Sequence, residues 1–469
     1  MGGTDRRGFL KHGLVAAGGL GLGLTAWSRL ARKGAAPKFH HALGPLLPVN
    51  DQTSGLPLLK LPKGFRYLSF AWAGETLTDG YPSPGACDGM GVVDDTNGIV
   101  TLIRNHELRG SSGPLGDPQK AWDVTGGGTT TLQFDTRNER LVDSRISLAG
   151  TLNNCAGGVT PWGTWLSCEE APLTPELMHH GVESRQMRWQ VENAQKSHGY
   201  VFEVHPEGGS NPQPIVPMGQ FYHEATAIDP ESGAVYMTED RAPHAGLYRY
   251  LPKVPGKLHA GGKLQMLRVK GHKELTGAVS LNKPMAIKWV DIARPEQGHT
   301  PGTHDGAGVV AQGMGEGGTA FVSLEGCDFY EKSIYFTSKA GGGAGAGQIF
   351  RLNIEEKTLV LIFEAMERNG FSGPDNIIVS PRGSLMICED RLGLFTKGQV
   401  LAGLDGKGEL FAFSQINSDL HATYGGHDLH KTAVSSEWAG VCFSADGQWM
   451  FANIYSPGIT VAITGPWVV

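Results

Sequence analysis

The sequence lacks the features that mark several common protein classes. Only 18% of its 469 residues are charged and the net charge is −6, so no electrostatic argument favours a nucleic acid as partner. The six cysteines include no CxxC pair, and neither a G-x-S-x-G elbow nor a convincing serine triad occurs. The glycine-rich run Gly341–Gly347 is not followed by Lys-Ser/Thr, which argues against a phosphate-binding loop. What remains is a chain with 68 glycines and 27 prolines, whose short apolar runs indicate a β-rich fold.

The N-terminus carries a targeting pattern. Arg6 and Arg7 lie in a segment that resembles a twin-arginine export motif, and the uncharged, glycine-rich stretch Gly13–Ser28 follows it. A bilayer span needs roughly 20 mostly apolar residues, so this stretch is too short and too glycine-rich to favour one. We expect residues 1–36 to be a targeting segment for the twin-arginine export machinery, and residues 37–469 to be a single periplasmic or extracellular domain. The alternatives are a basic tail with a fortuitous apolar run, or a segment that stays uncleaved as an anchor.

A pattern of paired strands repeats six times along the chain. In each unit a short apolar strand begins at a residue that can bind a metal, a glycine-containing turn follows, and a second strand ends in polar residues. The strand-start residues are Asp88, Cys155, Glu224, Glu325, Asp375 with Asn376, and Glu437. The polar strand ends are Asn105-His106-Glu107, Glu169-Glu170, Glu239-Asp240, Lys339, Glu389-Asp390 and Asn453. Antiparallel pairing brings these two positions to the same edge of a sheet.

Six such units predict an all-β protein, a six-bladed β-propeller in which these edges meet at one mouth of the central channel. The segment Leu61–Trp72 has a strand-like pattern and could close the ring beside Thr460–Thr464. An ordinary edge strand packed elsewhere is an equal alternative for this segment. The long insertion from Ala171 to Lys196 has a residue spacing that allows a helix.

The ring of acidic strand ends predicts bound cations, because like charges held close together repel one another. Oxygen ligands from Glu, Asp and Asn suit calcium. Cys155 stands where the other units carry an oxygen ligand, and a thiolate shifts that corner toward a transition metal. Cys168, Cys388 and Cys442 lie inside apolar strands, so we interpret them as buried hydrophobic residues. The alternative for the acidic ends is that they face solvent, but their recurrence in unit after unit argues against it.

Several of these motifs together resemble the PhoX-type alkaline phosphatases. They are Asn105-His106-Glu107, the block from Cys155-Ala-Gly-Gly to Cys168-Glu169-Glu170, His223-Glu224, Leu324-Glu325-Gly, Pro374-Asp375-Asn376 and Glu437-Trp-Ala-Gly. The resemblance implies a six-bladed propeller, exported by the twin-arginine route, that hydrolyses phosphomonoesters with iron and calcium. It also implies that Cys155 ligates iron, and that Glu224 and Glu325 bind or bridge metals.

The sequence departs from this family at one position. In the family an arginine two residues before the motif glutamate helps to hold phosphate, whereas Ser323 stands there in this chain. Loss of a bidentate guanidinium weakens recognition of a phosphate dianion. Arg241 and Arg391, each directly after an acidic pair, and Lys339 at the corresponding strand end could supply the missing cation from the same rim.

We therefore predict a monomeric, metal-dependent phosphomonoester hydrolase that acts on a small phosphorylated substrate. Its multinuclear site would contain iron and calcium, with a metal-bound oxide or hydroxide as nucleophile. The candidate metal ligands are Glu107, Cys155, Glu169, Glu170, Glu224, Glu239, Glu325, Glu389 and Glu437. The candidate catalytic residues are Asn105, His106, Arg241 and Arg391. A histidine beside a ligand more commonly orients that ligand, which is the alternative for His106.

Two other functions also fit the sequence. A lactonase-type propeller hydrolase with a single calcium would share the fold but would not require Cys155. A metal-bearing propeller that binds without catalysis would be consistent with Ser323.

Overall fold

The computed structural model describes residues 38–39, 43–110, 113–184, 187–209, 212–366, 371–390, 398–431 and 436–467. The elements that lie wholly within these ranges include 31 strands, two short α-helices and three 3-10 helices. The helices are α1 (Pro175–His180) and α2 (Gly308–Gly315), and the 3-10 helices are Pro118–Lys120, Val216–Met218 and Leu258–Ala260. Within these ranges, no helix has the length and apolar character needed to cross a bilayer. The expected targeting segment and Arg391 lie outside the described residues.

Most strands belong to six antiparallel meanders that follow one another along the chain. Four strands precede them: β1 (Lys38–Phe39), β2 (Leu47–Val49), β3 (Leu59–Leu61) and β4 (Arg66–Phe70). Meander 1 contains β5 (Cys87–Thr96), β6 (Ile99–His106), β7 (Gly127–Asp135) and β8 (Arg140–Thr151). Meander 2 contains β9 (Asn154–Val159), β10 (Trp165–Glu169) and β13 (Val201–Val204), with the hairpin of β11 (Val182–Ser184) and β12 (Met187–Trp189) inserted.

The third and fourth meanders are joined into one sheet. Meander 3 contains β14 (His223–Ile228), β15 (Val235–Glu239), β16 (Leu247–Pro252) and β17 (Gly262–Val269). Strand β18 (Met285–Asp291) extends it. Meander 4 contains β19 (Leu324–Tyr330), β20 (Ser333–Ser338), β21 (Gln348–Asn353) and β22 (Thr358–Glu364). Because β18 pairs with both β17 and β22, the two meanders form a nine-stranded sheet.

Strands from the beginning of the chain pair with the last two meanders. Meander 5 contains β23 (Pro374–Val379), β24 (Leu385–Glu389), β25 (Val400–Leu404) and β26 (Leu410–Ile416). Its outer strand β26 pairs with β1 and β3. A short hairpin of β27 (Thr423–Tyr424) and β28 (His427–Asp428) follows. Meander 6 contains β29 (Trp438–Phe443), β30 (Trp449–Ile454) and β31 (Ile459–Thr464), and β4 is its fourth strand.

The hydrophobic core lies between consecutive meanders. Ile103 of meander 1 packs with Trp165 and Phe202 of meander 2, and comparable apolar clusters fill each later junction. The last junction returns to the first meander, where Phe134 and Phe451 lie 5.5 Å apart between ring centroids. Each sheet is therefore buried on both faces by its neighbours, and the closed succession of sheets is the arrangement of a β-propeller.

Of the two alternatives that the sequence left open for the segment before β5, the structure shows ring closure. Strand β4 pairs antiparallel with β31, with Phe70 opposite Thr460 and Arg66 opposite Thr464. The side chain of Arg104, in meander 1, is fully buried and stabilises this junction. Its guanidinium donates to the carbonyl of Ala71 (3.1 Å), to Thr460 Oγ1 (2.9 Å) and to Ser83 Oγ (3.1 Å). These hydrogen bonds offset the desolvation of the buried charge and tie the first residues of the domain to the last.

The first strands of neighbouring meanders approach one another too closely for ordinary side chains. A Cβ on Gly158 would lie 2.0 Å from the carbonyl oxygen of Thr226, and one on Gly89 would lie 2.5 Å from Cα of Ala156. Glycine at these positions lets the first strands of successive meanders come together around the centre. The residues that begin those strands are crowded together for the same reason.

The predicted helix in the long insertion is confirmed, although it is short. Helix α1 begins after Thr174, whose Oγ1 accepts from Leu177 N at 3.4 Å, and it buries Leu177 and Met178. Asp123 accepts from the backbone of Gln195 at 2.9 Å and so holds the far end of the insertion against meander 1.

Candidate metal centre

A β-bulge lies at the start of the first strand in every meander. In meander 1, Cys87 pairs with His106 and Met90 with Arg104, so the first strand advances three residues while its partner advances two. The same shift occurs in the other five meanders, at residues 154–157, 223–226, 324–327, 374–377 and 439–442. A bulge adds one residue and changes the direction of its side chain. The residues placed in these bulges include Asp88, Cys155, Glu224, Glu325 and Asp375.

Meander 6 departs from the pattern that the sequence suggested. Its bulge falls at Gly440 rather than at Glu437, which precedes β29. A Cβ on Gly440 would lie 2.6 Å from the carbonyl oxygen of Asp88, and the residue has a φ of +60°, so no side chain fits there. Glu437 therefore reaches the centre from outside the strand.

The acidic pairs at the ends of the second strands are divided between two roles. The first member of each pair is the last strand residue and is held by the scaffold. Glu169 accepts from the backbone of Leu152 and Gly199, both at 2.8 Å, and Glu239 accepts from Gly246 N (2.8 Å) and Tyr248 OH (2.7 Å). Glu389 accepts from Val400 N at 3.0 Å. The structure does not bring Glu169, Glu239 and Glu389 together with the other candidate ligands, so the geometry does not support them as metal ligands.

The residue that directly follows each second strand is the one that faces the centre. Side chains alternate along a strand, so the residue after the scaffold glutamate points the other way. These following residues are Glu107, Glu170, Asp240, Lys339, Asp390 and Tyr455. The sequence analysis therefore missed Asp390 as a candidate ligand, although the alternation within the acidic pair could have identified it.

The candidate ligands meet in three groups, and within each group the donor atoms lie within 4.8 Å of one another. The groups are Glu107 with Cys155 and Glu170, Glu224 with Glu325 and Asp375, and Asp375 with Asp390 and Glu437. Asp375 belongs to two groups. Cys155 Sγ lies 3.3 Å from Asp88 Oδ2 and 3.2 Å from Glu224 Oε1, and so links the first group to the second. The three groups thus form one cluster, which we call the carboxylate cluster.

The electrostatics of the carboxylate cluster favour cations. Burial, reinforced by neighbouring carboxylates, raises the pKa of Asp88, Glu224 and Glu437 well above the ordinary value. Burial and the charges of Asp88 and Glu224 raise the pKa of the Cys155 thiol in the same way. Glu224 Oε2 is buried without a hydrogen-bond partner. Buried unpaired carboxylate oxygens are costly, and a bound metal ion would remove that cost.

The donor set also suits the metals that the resemblance implies. Carboxylate oxygens are preferred by calcium, and a group with one thiolate suits iron better than calcium. The residues present therefore fit both an iron and a calcium site.

Two protein cations already contact the carboxylate cluster. Arg109 donates to Glu107 Oε1 at 2.5 Å, while Tyr455 OH donates to the other oxygen of Glu107 at 2.6 Å. Lys339 forms ion pairs with Asp390 and with Asp375, the latter at 3.2 Å. Burial lowers the pKa of Lys339, but the surrounding carboxylates outweigh this effect and hold that pKa well above its ordinary value.

Asn105 and His106, both predicted to be catalytic, are buried in the scaffold. Asn105 donates to the carbonyls of Cys155 (3.0 Å) and Ala156 (2.7 Å), and its Oδ1 accepts from Trp165 Nε1 and Ser167 Oγ, both at 2.9 Å. Its amide group is thus fully hydrogen-bonded, and both of its donors hold the backbone at Cys155 and Ala156. His106 bonds to the carbonyl of Gly85 (2.8 Å) and to Thr130 Oγ1 (3.0 Å), and burial lowers its pKa.

Comparable hydrogen bonds hold other bulges from the preceding meander. Thr238 Oγ1 donates to the carbonyl of Glu325 (2.5 Å), Thr337 Oγ1 to that of Asp375 (2.8 Å), and Asn453 Nδ2 to that of Asp88 (2.5 Å). In each of these cases one meander positions a candidate ligand of the next one.

Ser323, at the position of the family arginine, adjoins two of the cations considered as its replacement. Ser323 N donates to the carbonyl of Arg241 at 2.9 Å, and the Ser323 carbonyl accepts from Lys339 N at 2.8 Å, so all three residues adjoin. The Arg241 guanidinium donates to the carbonyls of His244 (3.1 Å) and Asp305 (3.4 Å). Arg391 lies outside the described residues.

The sequence matches one protein family over most of its length. Residues 43–145 and 118–458 match the family described as alkaline phosphatase PhoX. The chain belongs to the alkaline phosphatase PhoX family. Membership of the PhoX family makes it an alkaline phosphatase-like hydrolase of phosphoric esters.

A solved structure supports the fold. The chain is similar to Pseudomonas fluorescens PhoX in complex with vanadate, a transition state analogue, with a TM-score of 0.59 and 16% identity over 92% of this chain and 98% of that one. A gluconolactonase from Xanthomonas campestris has a TM-score of only 0.39 and 13% identity, over 90% of this chain and 98% of its own. None of the curated proteins compared with the sequence matches it.

Proposed function

We propose that this chain is a metal-dependent phosphomonoester hydrolase with a multinuclear iron and calcium site at one mouth of a six-bladed propeller. In this proposal each meander is one blade. The observation that carries it is the contact of the Cys155 thiol with Asp88 and Glu224, which joins a thiolate to a set of buried carboxylates in a member of the PhoX family.

We assign iron to the group that contains Cys155, and calcium to Glu224, Glu325 and Asp375, because of their donor atoms. Bound metals would neutralise charge on the phosphoryl oxygens and activate a water molecule. The chain itself orients the ligands. Asn105 holds the backbone of Cys155, and Tyr455 hydrogen-bonds one oxygen of Glu107.

Arg109 is a further candidate to bind the phosphate group in place of the missing arginine. Its guanidinium contacts Glu107 within the first ligand group, and 38% of its side chain is exposed at that point. A guanidinium can bind two phosphate oxygens at once, which suits recognition of a dianion. Of the cations considered from sequence, Lys339 is already engaged by carboxylates.

Metal analysis of protein purified without chelators, combined with a chromogenic phosphate monoester, tests the proposal. We expect iron and calcium to copurify, and chelation to abolish hydrolysis. The Cys155→Ala variant should lose iron and activity together. The matched control is Cys442→Ala, which removes a buried thiol from the hydrophobic core between meanders 6 and 1 and should keep both iron and activity. Iron retained by Cys155→Ala would contradict the assignment. Calcium alone with lactone hydrolysis, or bound metal without turnover of any ester, would favour one of the two other functions.

We also propose export to the periplasm or beyond by the twin-arginine route, on the basis of Arg6 and Arg7. A reporter fused to residues 1–36 should be exported in its folded form. Replacement of both arginines by lysine should keep it in the cytoplasm, and export of that double variant would refute the assignment.

A further inference from the structure

Lys339 stands where the other meanders place a residue with an oxygen donor. It directly follows the second strand of meander 4, the position held by Glu107, Glu170 and Asp390 in other meanders. By the alternation along the strand, this position faces the carboxylate cluster. A positively charged side chain therefore stands at a position where other meanders place a candidate metal ligand.

The surroundings of Lys339 are those of a bound cation. Its ammonium pairs with Asp390, lies 3.2 Å from Asp375 Oδ2 and 3.6 Å from Glu325 Oε1, and only 14% of the side chain is exposed. Its backbone N–H donates to the carbonyl of Ser323 at 2.8 Å, which fixes the start of the side chain. Three carboxylates thus converge on one largely buried point charge.

The third ligand group depends on the same carboxylates. Asp375 and Asp390, which pair with Lys339, make up this group together with Glu437. Lys339 also reaches the second group, through Glu325 and the shared Asp375, but Glu325 Oε1 lies farther away, at 3.6 Å, whereas Asp390 pairs with the ammonium directly. Among the described residues, the ammonium therefore competes with a metal ion most directly at the third group.

We propose that the Lys339 ammonium is the resident cation of the group formed by Asp375, Asp390 and Glu437, so that this group takes no metal ion in the wild-type chain. This inference rests on the metal centre of the proposed function and concerns how many ions it holds. Removal of the ammonium leaves buried carboxylates unpaired, which is a strongly destabilising state unless another cation replaces it. Calcium suits that place, because all three ligands are carboxylates.

The test is the number of metal ions per chain, measured by elemental analysis after equilibration with calcium and gel filtration. Lys339→Met and Lys339→Gln should each bind about one more calcium per chain than the wild type. Lys339→Arg keeps the positive charge and should bind the same number as the wild type. The matched control is Lys263→Met, which removes an exposed lysine paired with Asp291 and should not change the count.

An unchanged or lower calcium count in folded Lys339→Met and Lys339→Gln would overturn the inference. Failure of both variants to fold in millimolar calcium would also count against it, because the inference requires calcium to replace the ammonium. These results are distinct from failure of the proposed function, which would appear as a wild-type chain that binds no metal or hydrolyses no phosphate ester.

Discussion

His198 gives a quantitative test of whether Glu169 belongs to the scaffold. The imidazole is fully buried, with Nδ1 2.6 Å from Glu169 Oε1 and Nε2 3.5 Å from Asp123 Oδ2. Burial lowers the pKa of His198, but Glu169 and Asp123 outweigh it and raise this pKa to about 9. A histidine in an unfolded chain has a pKa of about 6.5, so the shift corresponds to about 3 kcal/mol of stability.

The direction of the pH dependence follows from the raised pKa. The folded protein holds the proton more tightly than the unfolded chain, so this contribution is fully present below about pH 6.5 and disappears as the pH rises through about 9. The replacement His198→Gln has no titrating group. We expect the difference in unfolding free energy between wild type and His198→Gln to shrink by about 3 kcal/mol between pH 6 and pH 10.

The assay is urea unfolding followed by intrinsic fluorescence at several pH values and a constant calcium concentration. His223→Gln is the control, because burial lowers the pKa of His223 to about 3, so this residue is neutral in the folded protein throughout and only the unfolded chain binds a proton near pH 6. Its difference from the wild type should change by only about 1 kcal/mol between pH 6 and pH 10, and in the direction opposite to that of His198→Gln. A pH-independent difference for His198→Gln would refute the buried ion pair with Glu169. If Glu169 is a scaffold residue, the iron content of His198→Gln should equal that of the wild type.

Three further substitutions test the site and the closure of the ring. Asn105→Ala removes the two hydrogen bonds that hold the backbone at Cys155 and Ala156, so iron affinity should fall about tenfold, and an unchanged affinity in metal titration would contradict the positioning role. Arg109→Gln should raise KM for a phosphate monoester about tenfold while the metal content is kept, and an unchanged KM would show that the anion is bound elsewhere. Arg104→Met removes the donor from the oxygens of the closing junction and should lower the free energy of unfolding by about 3 kcal/mol. A loss below about 1 kcal/mol would show that the junction does not depend on Arg104.

The strand repeat carries enough information to predict the main architecture. Short apolar runs with glycine turns identify the strands, and their spacing identifies the antiparallel pairs. The apolar and aromatic pattern of β4 left ring closure and an ordinary edge strand as equal alternatives, and the structure shows closure by pairing with β31. The choice between closure and an ordinary edge strand required the structure, because that contact joins residues almost 400 positions apart.

The amino-acid sequence by itself determined the family, the strand repeat and the residue types available to the centre, because hydrophobic alternation and motif spacing are local properties. Only the tertiary structure decided which of these residues face one another. A single-residue bulge in the first strand sets the direction of Cys155 and Asp375. Alternation at the end of the second strand turns Glu170 and Asp390 to the cluster, while Glu169 and Glu389 point into the scaffold. The placement of Lys339 among carboxylates from meanders 4 and 5 likewise depends on packing between sheets, which no local pattern encodes.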